Sequence, residues 1–264
     1  MPSTLLKEAV FAVSEDKEWP DGVLLYKNLC DQELLPEVAK YHAVEALLAV
    51  HDLQGQYKTC RKDNAEYMSP KGVLPFLRIG NQIEAEESIL AYLDKRGYSL
   101  SSGLAPEIQI QVKGILSLIK TRLVPIELYY TWVDEKNRKQ TFSKYGFNQP
   151  EPLRKILCWK KQKDMATYLD HIGWLKKTPA EILAAAVELF EFFTNKLANG
   201  SCLVNNQLTE ADVYLYGHLQ AILESNQKSD ILRNTLTQYP KLTQFCLTFN
   251  QVHLGDRSML WEFV

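Results

Sequence analysis

Three side chains near the end of the first predicted strand could take part in chemistry: Tyr26, Asn28 and Cys30. A tyrosine hydroxyl can lower the pKa of a neighbouring thiol through a hydrogen bond, and a cysteine thiolate is itself a nucleophile. Asn28 offers only a weak donor. Cys30 lacks the CxxC or Ser/Cys-Pro pattern that places a thiol at a helix N-terminus, and Tyr26 is equally typical of a sheet core. Tyr26 and Cys30 are therefore candidates, and no catalytic residue is assigned.

Two later dipeptides predict a groove for an extended ligand. Leu74-Pro75 precedes the predicted strand over residues 76–79. A cis bond at that proline costs only about 0.5–1 kcal/mol and would present the backbone N–H and C=O of Leu74. Glu87-Ser88 begins a predicted helix, where a hydroxyl and free N–H groups can hold a carboxylate. The same pair can also act only as a helix cap.

The sequence shows no pattern for a metal, a phosphate loop or a hydrolase elbow. The histidines form no recognisable metal-binding pair, and no GxSxG motif occurs. The five cysteines are scattered without a CxxC, which indicates a reducing compartment rather than a disulfide framework. We expect neither a metal nor a cofactor. The residues concerned are His42, His51, His171, His218, His253, Cys30, Cys60, Cys158, Cys202 and Cys246.

Residues 159–177, the Trp/Lys segment, combine lysines with two tryptophans. Indole rings suit a membrane interface, and each Lys near an anionic bilayer adds about 1 kcal/mol. The segment therefore predicts a membrane or partner surface, although a solvated helix face with one buried Trp gives the same pattern. The residues of this surface are Trp159, Lys160, Lys161, Trp174, Lys176 and Lys177.

The elements that position these residues change along the chain. A buried strand at residues 23–26 is followed by a helical pattern, a half-exposed strand, a hairpin around Gly80-Asn81 and a short helix. From residue 106 only helical patterns remain, including one that Pro125 should kink. Two of the later helices begin with capping boxes, Thr178 with Glu181 and Thr209 with Asp212. We predict an N-terminal extension over 1–20, an α+β thioredoxin-like domain over 21–102 and an all-α domain over 103–264.

Composition narrows the function classes. The 264 residues carry 30 Lys+Arg, 32 Asp+Glu and 46% hydrophobic residues, so the chain is neither disordered nor basic enough to predict nucleic-acid binding. No stretch has the roughly 20 apolar residues of a membrane-spanning helix. The first residues contain Glu8, Glu15 and Asp16 and no Arg, unlike a mitochondrial presequence. We expect a soluble chain whose membrane attachment is peripheral.

The order of elements resembles the glutathione-transferase architecture. The resemblance rests also on Leu74-Pro75, on Glu87-Ser88 and on the capping box Thr209–Asp212. It implies that the groove of Leu74, Pro75, Glu87 and Ser88 would hold glutathione. A glutathione-dependent transferase using Tyr26 or Cys30 is therefore an alternative function.

Three longer segments resemble the metaxin family: residues 64–76 (NAEYMSPKGVLPF), 171–178 (HIGWLKKT) and 208–219 (LTEADVYLYGHL). The resemblance covers nearly the whole chain and fits the family type without a C-terminal membrane helix. It implies a non-catalytic interaction protein, peripheral on the cytosolic face of the mitochondrial outer membrane, with a pool in the cytosol. The implied partners are a membrane-anchored metaxin 1-type protein and the sorting and assembly machinery for β-barrel proteins. An adaptor role between Miro and kinesin in mitochondrial transport is implied as well.

Overall fold

The computed structural model describes residues 19–85 and 87–255. The predicted N-terminal extension lies outside these residues except for Trp19 and Pro20. The chain begins with a four-stranded sheet and continues as helices, in the order that the sequence predicts. Residues 23–95 contain all the strands of the described part, and from Pro106 onward the named elements are helical.

The sheet is built from β1 (Val23–Asn28), β2 (Tyr57–Lys62), β3 (Phe76–Ile79) and β4 (Gln82–Ala85), in the spatial order β2-β1-β3-β4. β1 pairs in parallel with β2 and antiparallel with β3, and β3 forms the predicted hairpin with β4. β1 is buried along nearly its whole length, because it is an inner strand covered on both faces. β2 lies at the edge and is largely exposed.

Two helices belong to this first part: α1 (Leu35–Val50) connects β1 to β2, and α2 (Glu87–Lys95) follows β4. The second part contains α3 (Pro106–Leu118), α4 (Val124–Leu128), α5 (Glu135–Tyr145), α6 (Leu153–His171), α7 (Pro179–Lys196), α8 (Glu210–Glu224), α9 (Ile231–Leu236) and α10 (Pro240–Phe249). Leu47 of α1 and Leu219 of α8 belong to one continuous buried core, so the two parts share their hydrophobic interior.

The predicted disturbance at Pro125 takes the form of wide helical turns. A π turn, Ile119–Leu123, precedes α4, and a second, Tyr129–Val133, follows it. Proline has no backbone N–H and its ring collides with the carbonyl four residues earlier in a regular α-helix. A π turn on the N-terminal side of Pro125 removes that conflict without ending the helical path.

The sequence patterns missed α5 and α9. The inward face of α5 is polar or aromatic: Asn137, Thr141 and Tyr145 are buried there. The Asn137 amide donates to the Tyr130 carbonyl at 2.9 Å, and the Thr141 hydroxyl donates to the Thr131 carbonyl at 2.6 Å. A search for apolar periodicity does not detect such a face. Helix α9 has only six residues, too few to show a period.

Candidate functional site

The candidate nucleophile-activating residues at the end of β1 do not meet in an open site. Tyr26 is buried and its ring stacks on Phe76 with centroids 4.7 Å apart and planes 8° apart. Arg78 Nη1 donates to its hydroxyl at 3.4 Å. Cys30 is exposed in the short 3₁₀ helix Cys30–Gln32. The structure thus places Tyr26 in a small core and Cys30 on the surface.

Asn28 holds two neighbouring segments together. Its side chain is buried, its Oδ1 accepts a hydrogen bond from the Ala65 backbone N–H at 2.8 Å, and its Nδ2 donates to Glu37 Oε2 at 2.9 Å. Ala65 begins the 3₁₀ helix Ala65–Met68, and Glu37 lies in the first turn of α1. Both functional groups of the amide are therefore used inside the protein, at the strand end where a transferase would activate a thiol.

Glu66 connects the first part of the chain to the helical part. The Tyr145 hydroxyl of α5 donates to Glu66 Oε1 at 2.6 Å, and Lys161 Nζ of α6 lies 2.7 Å from Glu66 Oε2. The Tyr67 hydroxyl lies 3.2 Å from that of Tyr145. Glu66 is only 4% exposed, so its charge is neutralised in place by charge-assisted hydrogen bonds. We call Asn28, Glu37, Glu66, Tyr145 and Lys161 the junction cluster.

Burial perturbs the acids of the junction cluster. Desolvation and the nearby negative charge of Glu66 raise the pKa of Glu37 to about 7, although Lys161 and the hydrogen bond from Asn28 oppose the shift. Desolvation and the Glu66 carboxylate also raise the pKa of Tyr145. Tyr145 therefore stays protonated and donates to Glu66, whereas Glu37 changes its charge near neutral pH.

In the predicted glutathione-like groove, the Ser88 hydroxyl is already hydrogen-bonded within the protein and Leu74 is buried. The Leu74–Pro75 bond is cis, and Leu74 is buried in the small core with Tyr26 and Phe76. The Ser88 hydroxyl donates to the Ala85 carbonyl and accepts from the Ala85 N–H, both at 2.8 Å. It therefore ties the first turn of α2 back to the end of β4. The side chain of Glu87, the fourth residue of this groove, lies outside the described residues.

The capping box at α8 is a buried structural unit. The Asp212 carboxylate accepts from the backbone N–H and the hydroxyl of Thr209 at 2.9 and 2.7 Å, and from the Leu203 N–H at 2.6 Å. Burial raises the pKa of Asp212, and these hydrogen bonds oppose the shift. The arrangement fixes the loop before α8 and the start of the helix.

The Trp/Lys segment is only partly a surface. Trp159, Lys160, Lys176 and Lys177 are exposed, and the Trp159 residue is 60% accessible. Trp174 is 7% exposed and belongs to the main core, because the chain turns inward after α6 and the Trp174 N–H donates to the Leu169 carbonyl at 2.8 Å. Lys161 is held by Glu66. Trp174 and Lys161 are therefore removed from the predicted surface.

Sequence reasoning missed Glu37, Glu66 and Tyr145. Tyr145 and Lys161 lie 79 and 95 residues from Glu66 along the chain, so local spacing contains no sign of either contact.

In the described ranges, no group of three or more His, Cys, Asp or Glu side chains is arranged to hold a metal ion. In the same residues no helix is both long and apolar enough to cross a bilayer.

Two stretches of the sequence match known protein families. Residues 42–162 match a family described as an outer mitochondrial membrane transport complex protein, Tom37. Residues 186–248 match the glutathione S-transferase C-terminal domain. The first match includes Glu66, Tyr145 and Lys161, and the second includes most of α7, α8 and α10.

Relatives that match nearly the whole chain show which family the chain belongs to. Metaxin-2 of Homo sapiens is 33% identical over 259 residues, which covers 97% of this chain and 98% of the human protein. The chain belongs to the metaxin family. A metaxin-2 homolog of Caenorhabditis elegans is 27% identical and covers 83% of this chain and 96% of its own. The family places this metaxin among the outer mitochondrial membrane transport complex proteins.

The solved structures that resemble this metaxin show its fold. Glutathione transferase F7 from Populus trichocarpa superposes with a TM-score of 0.56 at 10% identity, covering 90% of this chain and 98% of its own. The glutathione-transferase-like fold is thereby confirmed for the metaxin chain. Identity this low carries no information about activity.

Proposed function

We propose that this chain is a non-catalytic subunit of the sorting and assembly machinery that inserts β-barrel proteins into the mitochondrial outer membrane. It binds peripherally on the cytosolic face and is held there through a membrane-anchored metaxin 1-type protein. The family membership supports the location in an outer-membrane transport complex. The insertion role, the partner and the cytosolic face are the parts that this proposal adds.

The observation that carries the non-catalytic part is the use of Asn28. A transferase needs a hydroxyl or thiol at this strand end to stabilise a thiolate. Here an amide occupies the position, and both of its groups are bonded to Ala65 and Glu37. Ser88, the hydroxyl that could hold a ligand carboxylate, is bonded on both sides to Ala85. These internal hydrogen bonds support the proposal that neither Asn28 nor Ser88 acts on a ligand.

Affinity purification from mitochondrial outer-membrane extracts tests the complex. We expect the tagged full-length chain to recover a membrane-anchored metaxin 1-type protein together with the β-barrel insertion machinery. We also expect depletion of the anchored protein to release the chain from mitochondria. Recovery of neither component, or unchanged membrane association after depletion, contradicts the proposal.

Complementation of cells lacking the chain tests the non-catalytic part. We expect Cys30→Ser and Tyr26→Phe to restore β-barrel insertion as well as the unsubstituted chain does, because neither side chain has a chemical role. Loss of insertion in a correctly folded Cys30→Ser variant, with retention of the chain on immobilised glutathione, supports the transferase alternative instead. The exposed thiol of Cys30, two residues beyond β1, is the feature that favours this alternative.

The adaptor role between Miro and kinesin is an additional proposal from the family resemblance. Mitochondrial movement measured in the same complemented cells separates it from β-barrel insertion. Normal movement in cells without the chain contradicts the adaptor role and leaves the insertion role to its own test.

A further inference from the structure

Helix α6 exposes three large apolar side chains on successive turns. Leu153, Ile156 and Trp159 are spaced three residues apart and are 43%, 57% and 60% exposed. Residues three apart are neighbours on a helix surface, so the three form an apolar strip over the first half of α6. The opposite side of the helix packs on the protein through Cys158 and Leu169, both buried.

The same half of α6 is strongly basic. Residues 153–163 (LRKILCWKKQK) contain five Lys and Arg residues and no Asp or Glu, whereas the whole chain has a net charge of −2. Arg154 and Lys155 pair with Glu151 just before the helix, and Lys161 pairs with Glu66. Lys160 and Lys163 are exposed, and Lys163 Nζ lies 5.2 Å from the Trp159 ring centroid. Positive charge and apolar surface thus occur together.

A groove opens beside the Trp159 ring. It has a volume of about 270 Å³, and its lining includes Val133, Arg138, Trp159, Lys163 and Leu175. The lining consists of two cationic side chains, four apolar ones that include Ala166, and the amide of Gln162. This combination suits a phosphate group attached to an apolar chain, since Lys and Arg bind phosphate and the remaining walls accept hydrocarbon.

We propose that Leu153, Ile156, Trp159, Lys160 and Lys163, the α6 face, dock on the surface of an anionic phospholipid bilayer. Trp159 lies at the boundary between headgroups and acyl chains, and the lysines and Arg138 face lipid phosphates. A bilayer fits this face better than an acidic protein does, because Lys160 and Lys163 gain from a diffuse negative surface without matched partners. The inference goes beyond the proposed function, since it concerns contact with lipid rather than with a protein.

Flotation of the purified full-length chain with vesicles tests the α6 face. We expect binding to vesicles that contain phosphatidylserine, little binding to pure phosphatidylcholine, and weaker binding at high salt because salt screens the attraction. Each Lys at an anionic surface strengthens binding about fivefold, so Lys160→Glu with Lys163→Glu should weaken it roughly 25-fold or more. Trp159→Ala should also weaken it by removing the interfacial ring.

The matched control is Lys58→Glu with Lys113→Glu, which makes the same change in net charge at exposed lysines of β2 and α3 rather than of α6. We expect this control to bind nearly as well as the unsubstituted chain, and circular dichroism verifies that all variants are folded. The inference is overturned if the chain does not bind phosphatidylserine vesicles, or if the two double variants lose binding equally. Loss of a protein partner in Lys160→Glu/Lys163→Glu without any vesicle binding assigns the face to a protein and also overturns it.

Discussion

At the scale of single residues, Glu37 brings a carboxyl group with a pKa near neutrality into the junction cluster. Its pKa in the folded chain, about 7, is higher than the ordinary value of 4.5. Between these values the folded state holds more protons than the unfolded state, so this group makes the free energy of unfolding fall as pH rises. Its contribution is fully present below pH 4.5 and is lost above about pH 7.

Glu37→Gln should remove this pH dependence. The amide of Gln is neutral at all pH values and can still accept the hydrogen bond from Asn28. We expect the variant to be more stable than the unsubstituted chain above pH 7 by about 1–3 kcal/mol, reduced by partial solvent contact. Urea unfolding across the pH range measures the difference. The exposed Glu107→Gln serves as control, and equal pH profiles for Glu37→Gln and the unsubstituted chain contradict the prediction.

At the scale of elements, the crossing of α1 and α8 depends on Gly217. A Cβ atom at this position would lie 2.4 Å from the Ala43 backbone N and 2.7 Å from the Ala39 carbonyl O. These are backbone atoms of a packed helix and cannot rotate away. The crossing therefore requires glycine on α8 and small residues on α1, which lets the two helix backbones touch.

Gly217→Ala should destabilise the chain by about 2–3 kcal/mol, because overpacking forces the two helices apart. Gly114→Ala is the matched control: Gly114 lies inside α3 with nothing within 4 Å of its Cβ position. There the same substitution should stabilise by about 0.5–1 kcal/mol through the helix preference of alanine. Chemical denaturation of both variants measures the two changes in the free energy of unfolding, which should have opposite signs. Equal changes would show that helix propensity, and not the contact with α1, determines both.

The elements also show how far sequence reasoning reaches. The strands, the hairpin at Gly80 and the capping boxes of Thr178 and Thr209 follow from local patterns, and the structure contains them. The inward side of α5 does not follow from a local pattern. Its residues Asn137 and Thr141 are polar, and hydrogen bonds to backbone carbonyls allow them to be buried. Burial of Trp174 likewise depends on a turn after α6, which a Trp/Lys pattern alone does not reveal.

At the scale of the whole molecule, the Glu66–Lys161 pair connects the sheet-containing part to the helical part. Removing one partner of a buried ion pair leaves the other charge uncompensated. We expect Glu66→Gln to lower the free energy of unfolding by about 2–4 kcal/mol, since Tyr145 also loses its anionic acceptor.

A double-mutant cycle with Lys161→Met isolates this connection. The double variant Glu66→Gln/Lys161→Met should be clearly more stable than the sum of the two single effects predicts, because no charge stays unpaired. Lys160→Met, one residue away and exposed, is the control and should combine additively with Glu66→Gln. Additivity for both lysines contradicts a stabilising role for the pair. No sequence pattern predicts this cluster, because its members come together only when the chain has folded.

The contact between α1 and α8 at Gly217 can form only late in the synthesis of the chain on the ribosome. Helix α1 is made early, but the helix that covers Ala39 and Ala43 is synthesised roughly 170 residues later, which takes on the order of ten seconds or more at ordinary translation rates. Until then the apolar surface of α1 that α8 covers in the finished chain is open to water. The nascent N-terminal part therefore exposes an apolar surface that chaperones can bind during most of the synthesis of the chain.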